Sequence, residues 1–237
     1  MRFSQRPIAC VISSLLALSS LFAQQPTAPP STPAVTFKFN WDEGRPWSDY
    51  TLTVAENGAT HFSGTGNAEE NGADDHFEQD FTMSEASLQK IFGAARATDY
   101  FHGEFETKQK NIARTGTKTL QYHSPSIDGS TTYNHSPNPN IQQLTKLFQA
   151  IALTIDYGRK LAFGYRFDKL GMDSRLQELT DLHAKGLAEE MQAIAPILRK
   201  IADDPDVMNI ARLQAKQLLK SANATPAGAA SSVTNQP

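Results

Sequence analysis

Residues 50–63 read YTLTVAENGATHFS. Tyr50, Leu52 and Val54 alternate with threonines, the period of a strand with one buried face. Asn57-Gly58 then supplies the positive φ angles that a tight hairpin turn demands, and His61-Phe62-Ser63 resumes the extended run. Upstream, Val35, Phe37, Phe39 and Trp41 alternate in the same way. Downstream, a second Asn-Gly pair at Asn71-Gly72 precedes Phe77, Gln79 and Phe81. Alternating runs joined by short turns predict an antiparallel meander.

A helix follows. Ser84 suits the N-cap, Met83 and Leu88 form a hydrophobic staple, and Leu88, Ile91, Phe92 and Ala95 share one stripe, ending near Thr98. Two more strands are predicted over 112–123 and 130–135, turning at Asp128-Gly129. On the first, Arg114 and Tyr122 share a parity, so a bulge at Gly116 is expected to switch the face. Asn138-Pro139 opens the strongest helix, over 139–157, with Ile141, Leu144, Leu147, Phe148, Ile151 and Ile155 on its stripe and Gly158 as its C-cap. The remainder reads as helical. Phe163, Tyr165 and Phe167 alternate as in a strand, but their flanks favour helix. Leu176, Leu179 and Leu182 mark one helix capped by Asp173. A second carries Met191 to Ile201 with Pro196 inside it, and a third starts at Asp204-Pro205. The fold expected is α+β: an antiparallel sheet of about six strands with two helices on one face, then a C-terminal helical extension.

The ends read differently. Arg2 and Arg6 precede an apolar run from Ile8 to Leu18, and Leu21-Phe22-Ala23 offers a small residue before Gln24. These are the parts of a cleavable signal peptide, too short and too serine-rich for a membrane span. Cleavage after Ala23 removes Cys10, the single cysteine, so the expected mature chain has no thiol or disulfide. It also removes two bases, taking the net charge from −3 to −5. That balance argues against nucleic acid as a partner. The expected organisation is a signal peptide over 1–23, a proline-rich linker over 24–34, an α+β domain over 35–158, a helical extension over 159–221 and an unstructured tail over 222–237. The location is then periplasmic or secreted, with no transmembrane segment after cleavage.

The order from Tyr50 to Asp156 is Tyr-Thr-Leu-Thr-Val, Asn-Gly, an aromatic, a glycine, an amphipathic helix, Asp99-Tyr100-Phe101, the threonine-rich strand 115–122, a hairpin and a closing helix. It resembles an uncharacterised family of exported bacterial proteins, a domain of unknown function. The resemblance implies the fold and the compartment and no particular activity. Members often carry an acid just before the threonine-rich strand, where this chain has Ala113-Arg114.

Chemistry-bearing patterns are sparse. Ser87-x-x-Lys90 and Arg114-Thr115-Gly116 echo motifs of penicillin-recognising enzymes, at a spacing too short for that fold. His123 and His135 are weak candidate metal ligands if they face each other across their hairpin, with Asp128 or Asp75 beside them. Ten acids between Trp41 and Phe81 are accompanied by Arg45 alone, a pattern read as solvated hairpin tips. No catalytic residue and no cofactor is assigned. The expected function is a non-enzymatic envelope or secreted interaction module for a protein, a peptide or a cell-wall component, with exposed anchors drawn from Trp41, Trp47, Arg114 and Tyr133. The alternative is a hydrolase using carboxylates of the acidic hairpins.

Overall fold

The computed structural model describes residues 32–41, 47–66 and 75–223. The expected signal peptide, nearly all of the linker, the Asn71-Gly72 turn and the tail beyond Asn223 lie outside the described residues.

Six antiparallel strands form one sheet. They are β1 (Ala34–Asn40), β2 (Trp47–Ala55), β3 (Ala59–Gly66), β4 (Asp75–Thr82), β5 (Thr117–His123) and β6 (Asp128–Tyr133). Their order is β4-β3-β2-β1-β5-β6. The first four make the meander, and the chain then crosses the sheet through helix α1 (Glu85–Ala97) to add β5 on the other side of β1. The quoted turn forms with the positive φ at Gly58 (+90°) and not at Asn57, whose side chain instead accepts from the Ala59 amide at 3.1 Å.

Period two separates the faces. Val35, Phe37 and Phe39 of β1, Tyr50, Leu52 and Val54 of β2, Phe62 and Leu120 are buried under α1 and helix α2 (Pro139–Phe167). Phe37 stacks on Phe148 of α2 at 5.0 Å between ring centroids. The opposite face carries rows such as Glu78-Ser63-Thr51-Lys38-Thr119-Thr132, without an apolar side chain. The fold is α+β, with helices on one sheet face and a helical C-terminal region.

Several local expectations are corrected. β5 begins at Thr117, because Gly116 takes φ +94° just before it, and the β1–β5 register then runs without a bulge. The register shift lies instead in β2, between Trp47 and Asp49. Asp128 and Gly129 are strand residues paired with His123 and Tyr122, and the turn is made by residues 124–127, where Ser124 and Ile127 bond each other.

Asn138 and Pro139 start α2 as expected, but the helix passes through Gly158 to Phe167. Gly158 serves packing rather than capping: a Cβ there would sit 2.4 Å from Ile194 Cγ2. One core gathers Val35 through Ile155 together with Ala193, and a second gathers Tyr157 through Ala222, so α2 is the shaft that both share. The second core comprises α3 (Met172–Ala184), a 3₁₀ turn (Met191–Ile194), α4 (Ala195–Asp203) and α5 (Asn209–Asn223). Pro196 falls in the first turn of α4, where it costs no hydrogen bond. Gly171 rather than Asp173 is the N-cap of α3, and Asp204 ends α4 instead of starting the next helix.

Candidate functional site

β4 is the last strand of the sheet and stands beside a cleft of about 690 Å³. Its odd positions, Phe77, Gln79 and Phe81, are half-buried and line one wall. The opposite wall comes from α2 and from the 191–199 segment, including Ala162, Ile194, Pro196 and Ile197. Polar links set the gap between the walls. Gln79 Nε2 donates to the Ala193 carbonyl at 2.5 Å, and Gln192 Nε2 donates to the Thr82 carbonyl at 3.2 Å.

Charge is added by two arginines. Arg159 on α2 lies over the rings of Trp47 (4.5 Å) and Phe77 (5.3 Å) and donates to the Gly66 carbonyl at 3.0 Å. Its guanidinium is therefore held in place at one end of the cleft, in cation–π contact. Arg199 is exposed on α4.

The 191–194 turn owes its position to Glu190. This residue adopts φ +59°, a left-handed conformation costly for a residue with a Cβ. Its carboxylate accepts from the Ser84 amide (2.8 Å), Ser84 Oγ (2.6 Å) and Ser87 Oγ (2.5 Å), and from Gln192 Nε2. A carboxylate there also suits the positive end of the α1 dipole. Ser87 is thus a buried partner of Glu190 while Lys90 is exposed, so Ser87 and Lys90 make no nucleophile–base pair.

The anchors named from sequence do not form one surface. Trp47 is 4% exposed and Tyr133 is 3% exposed, correcting their expected exposure. Trp47 packs on Phe62 at 4.9 Å and donates from Nε1 to the Ala152 carbonyl at 3.1 Å. Tyr133 sits on the inner parity of β6, 2.6 Å from Thr145 Oγ1, and burial pushes its phenol up to about 12. Trp41 is half-buried against the first core, and Arg114 is exposed on the segment before β5.

His123 meets Asp128, whereas His135 lies beyond the other end of β6 near Glu106. The register therefore separates the two histidines by the length of the hairpin. Among the described residues no three His, Cys, Asp or Glu side chains converge as a metal site. Of the ten hairpin acids, Asp42, Glu43, Glu69, Glu70 and Asp74 lie outside the described residues, as does Arg45. Asp49, Glu56, Asp75, Glu78 and Asp80 are exposed, and Asp80 reaches His61 at 2.7 Å on the polar sheet face.

Three groups gave no sequence signal. Lys118 is buried, with Nζ near the carbonyls of Thr115, Gly116 and Asn134 at 2.8–3.1 Å and Thr115 Oγ1 at 3.0 Å. Arg159 and Glu190 acquire their roles from elements far away in sequence. No helix among the described residues is long and apolar enough to cross a membrane. Compared with known proteins, the chain matches no protein-family model and no curated protein.

Proposed function

We propose that the protein is an exported binding module and that the cleft beside β4 receives its partner, a peptide or protein segment. The observation that carries this reading is the cleft: about 690 Å³, with Phe77, Phe81, Ile194, Pro196 and Ile197 along it and two arginines at its margins. That size and mixture suit a ligand site. The polar sheet face lacks the aromatic or aliphatic anchors that dominate interface energies. Export is proposed from the leader-like first 23 residues and from the resemblance of residues 50–156 to an exported family.

The hydrolase alternative requires two carboxyl groups flanking one bond. Of the two acids along the cleft among the described residues, Asp80 directs its carboxylate to His61 on the polar face. That leaves Asp75, which favours binding over catalysis. A photo-crosslinking residue placed at the exposed Ala162, with one at Lys38 on the polar face as control, tests the site in producing cells. Discrete adducts from position 162 that disappear when Ile197→Asp is added are expected. Equal adduct patterns from both positions would overturn the assignment.

A further inference from the structure

The two edges of the sheet are finished differently. At β6 the 3₁₀ turn Asp99–Phe101 packs against the inner face of the strand, its Tyr100 carbonyl 2.0 Å from the place a Cβ on Gly129 would take. At β4, among the described residues, no strand pairs on the far side. Edge strands are ordinarily blunted by charged side chains, lysine above all, by proline, by a bulge or by a covering loop, and the charges β4 carries are acidic: Asp75, Glu78 and Asp80. β4 reads DHFEQDFT, with neither lysine nor proline, and keeps unbroken register with β3 over its whole length.

The direction of its free groups follows from the hairpin. The Met83 amide donates to the Gly58 carbonyl, and these two residues continue the β3–β4 register. In an antiparallel pair, bonded and non-bonded positions alternate. Residues 81, 79, 77 and 75 therefore bond β3, while His76, Glu78 and Asp80 point amide and carbonyl outward. Thr82 obeys the same parity, since Gln192 reaches its carbonyl from outside.

We infer that β4 is completed by an extended peptide segment that adds to the sheet as a seventh strand, with basic side chains alternating with apolar ones. The inference rests on the proposed binding role of the cleft and specifies how the partner binds. On the polar face the incoming side chains meet Glu78 and Asp80, which His76 and His61 contact at 3.1 and 2.7 Å and whose remaining carboxylate oxygens favour lysine or arginine. On the cleft side they meet Phe77, Phe81, Pro196 and Ile197, with Arg159 and Arg199 repelling cations. The same acids set β4 against a second copy of itself, so the partner is a different sequence. Backbone bonds supply affinity and the alternate side chains supply selectivity in this mode of recognition.

The probe is the heptapeptide acetyl-KFKVKFK-amide, titrated calorimetrically into the full chain. Two N-methylated forms carry methyl groups on the lysine amides or on the apolar-residue amides, and a further form replaces lysine by glutamate. Strand addition requires that one methylation phase weaken binding about tenfold, the worth of one to two hydrogen bonds, while the other leaves it unchanged. Glu78→Pro removes an outward N–H but no β3 bond, a change edge strands tolerate, and is expected to weaken binding similarly. The glutamate peptide should bind at least about tenfold more weakly, through unlike-to-like charge reversal. Absence of binding by the lysine peptide, or insensitivity to both methylation phases, overturns strand addition. Binding that ignores methylation but is abolished by Ala162→Trp would leave the cleft as the binding site and remove only the seventh strand.

Discussion

Asp156 is fully buried on α2, with Lys160 Nζ 2.9 Å from Oδ2 and no hydrogen-bond partner for Oδ1 among the described residues. Burial raises its carboxyl pKa, and the Lys160 and Arg159 charges offset only part of that. A carboxyl whose folded pKa exceeds its unfolded value binds protons better in the native state. Its contribution to stability therefore falls as pH rises from the unfolded value of about 3.8 through the raised one. Asp156→Asn should then be more stable than the parent near neutral pH, with the gap closing in acid. Urea midpoints at several pH values check this, and an equal or unfavourable gap at every pH would contradict it. Gly129 is the second sensitive position. Because a Cβ would meet a backbone oxygen rather than a yielding side chain, Gly129→Ala should cost about 1–3 kcal/mol. A thermal melt indistinguishable from the parent would mean that the 99–101 turn moves freely.

At the scale of elements, Glu190 is the clasp between the two cores. It joins the start of α1 in the first to the 191–194 turn, whose Ala193 packs with the first and whose Met191 and Ile194 pack with the second. Removing the carboxylate strands two serine hydroxyls and an amide at a helix start. Glu190→Ala should lose about 1.5–3 kcal/mol, the range for hydrogen bonds to a charged group. Glu189→Ala, where only the backbone carbonyl is used by Thr154, should change stability by less than about 0.5 kcal/mol. Chemical denaturation of the two variants decides, and equal losses would remove the clasp from the account.

At the scale of the whole molecule, α2 has Ile151 in one core and Leu161 in the other, both fully buried. A continuous helix couples the two, so the regions 35–158 and 159–221 should unfold together. Ile151→Ala and Leu161→Ala are each expected to cost about 2–5 kcal/mol and to lower one shared calorimetric transition. Two resolved transitions, each responding to one substitution, would show independent domains. Export makes a separate prediction. Protein recovered from the periplasm or medium should begin at Gln24 by intact mass, and material retaining Met1 would refute the leader.

The sheet was legible because period two is a local property. A chain that alternates Tyr50, Leu52 and Val54 with threonine can bury only one face, and Asn57-Gly58 can turn only tightly. The α2 stripe from Ile141 to Ile155 was legible for the same reason, with a period of 3.6. Gly158 misled because its glycine, suited to a cap, was required by Ile194 far along the chain. Asp128-Gly129 misled because Gly129 makes room for Tyr100 rather than a turn. Trp47 and Tyr133 were misplaced because their burial depends on Ala152 and Thr145, which only the packing of α2 brings near. The candidate site was not legible. By itself the sequence determined which faces of the sheet and of α2 are apolar and where α1 and α2 begin, through spacing between near neighbours. Tertiary structure decided which strand became the open edge, where the cleft lies, that Arg159 lines it and that Glu190 holds the 191–194 turn to α1, because contacts between distant segments leave no periodic mark on either segment.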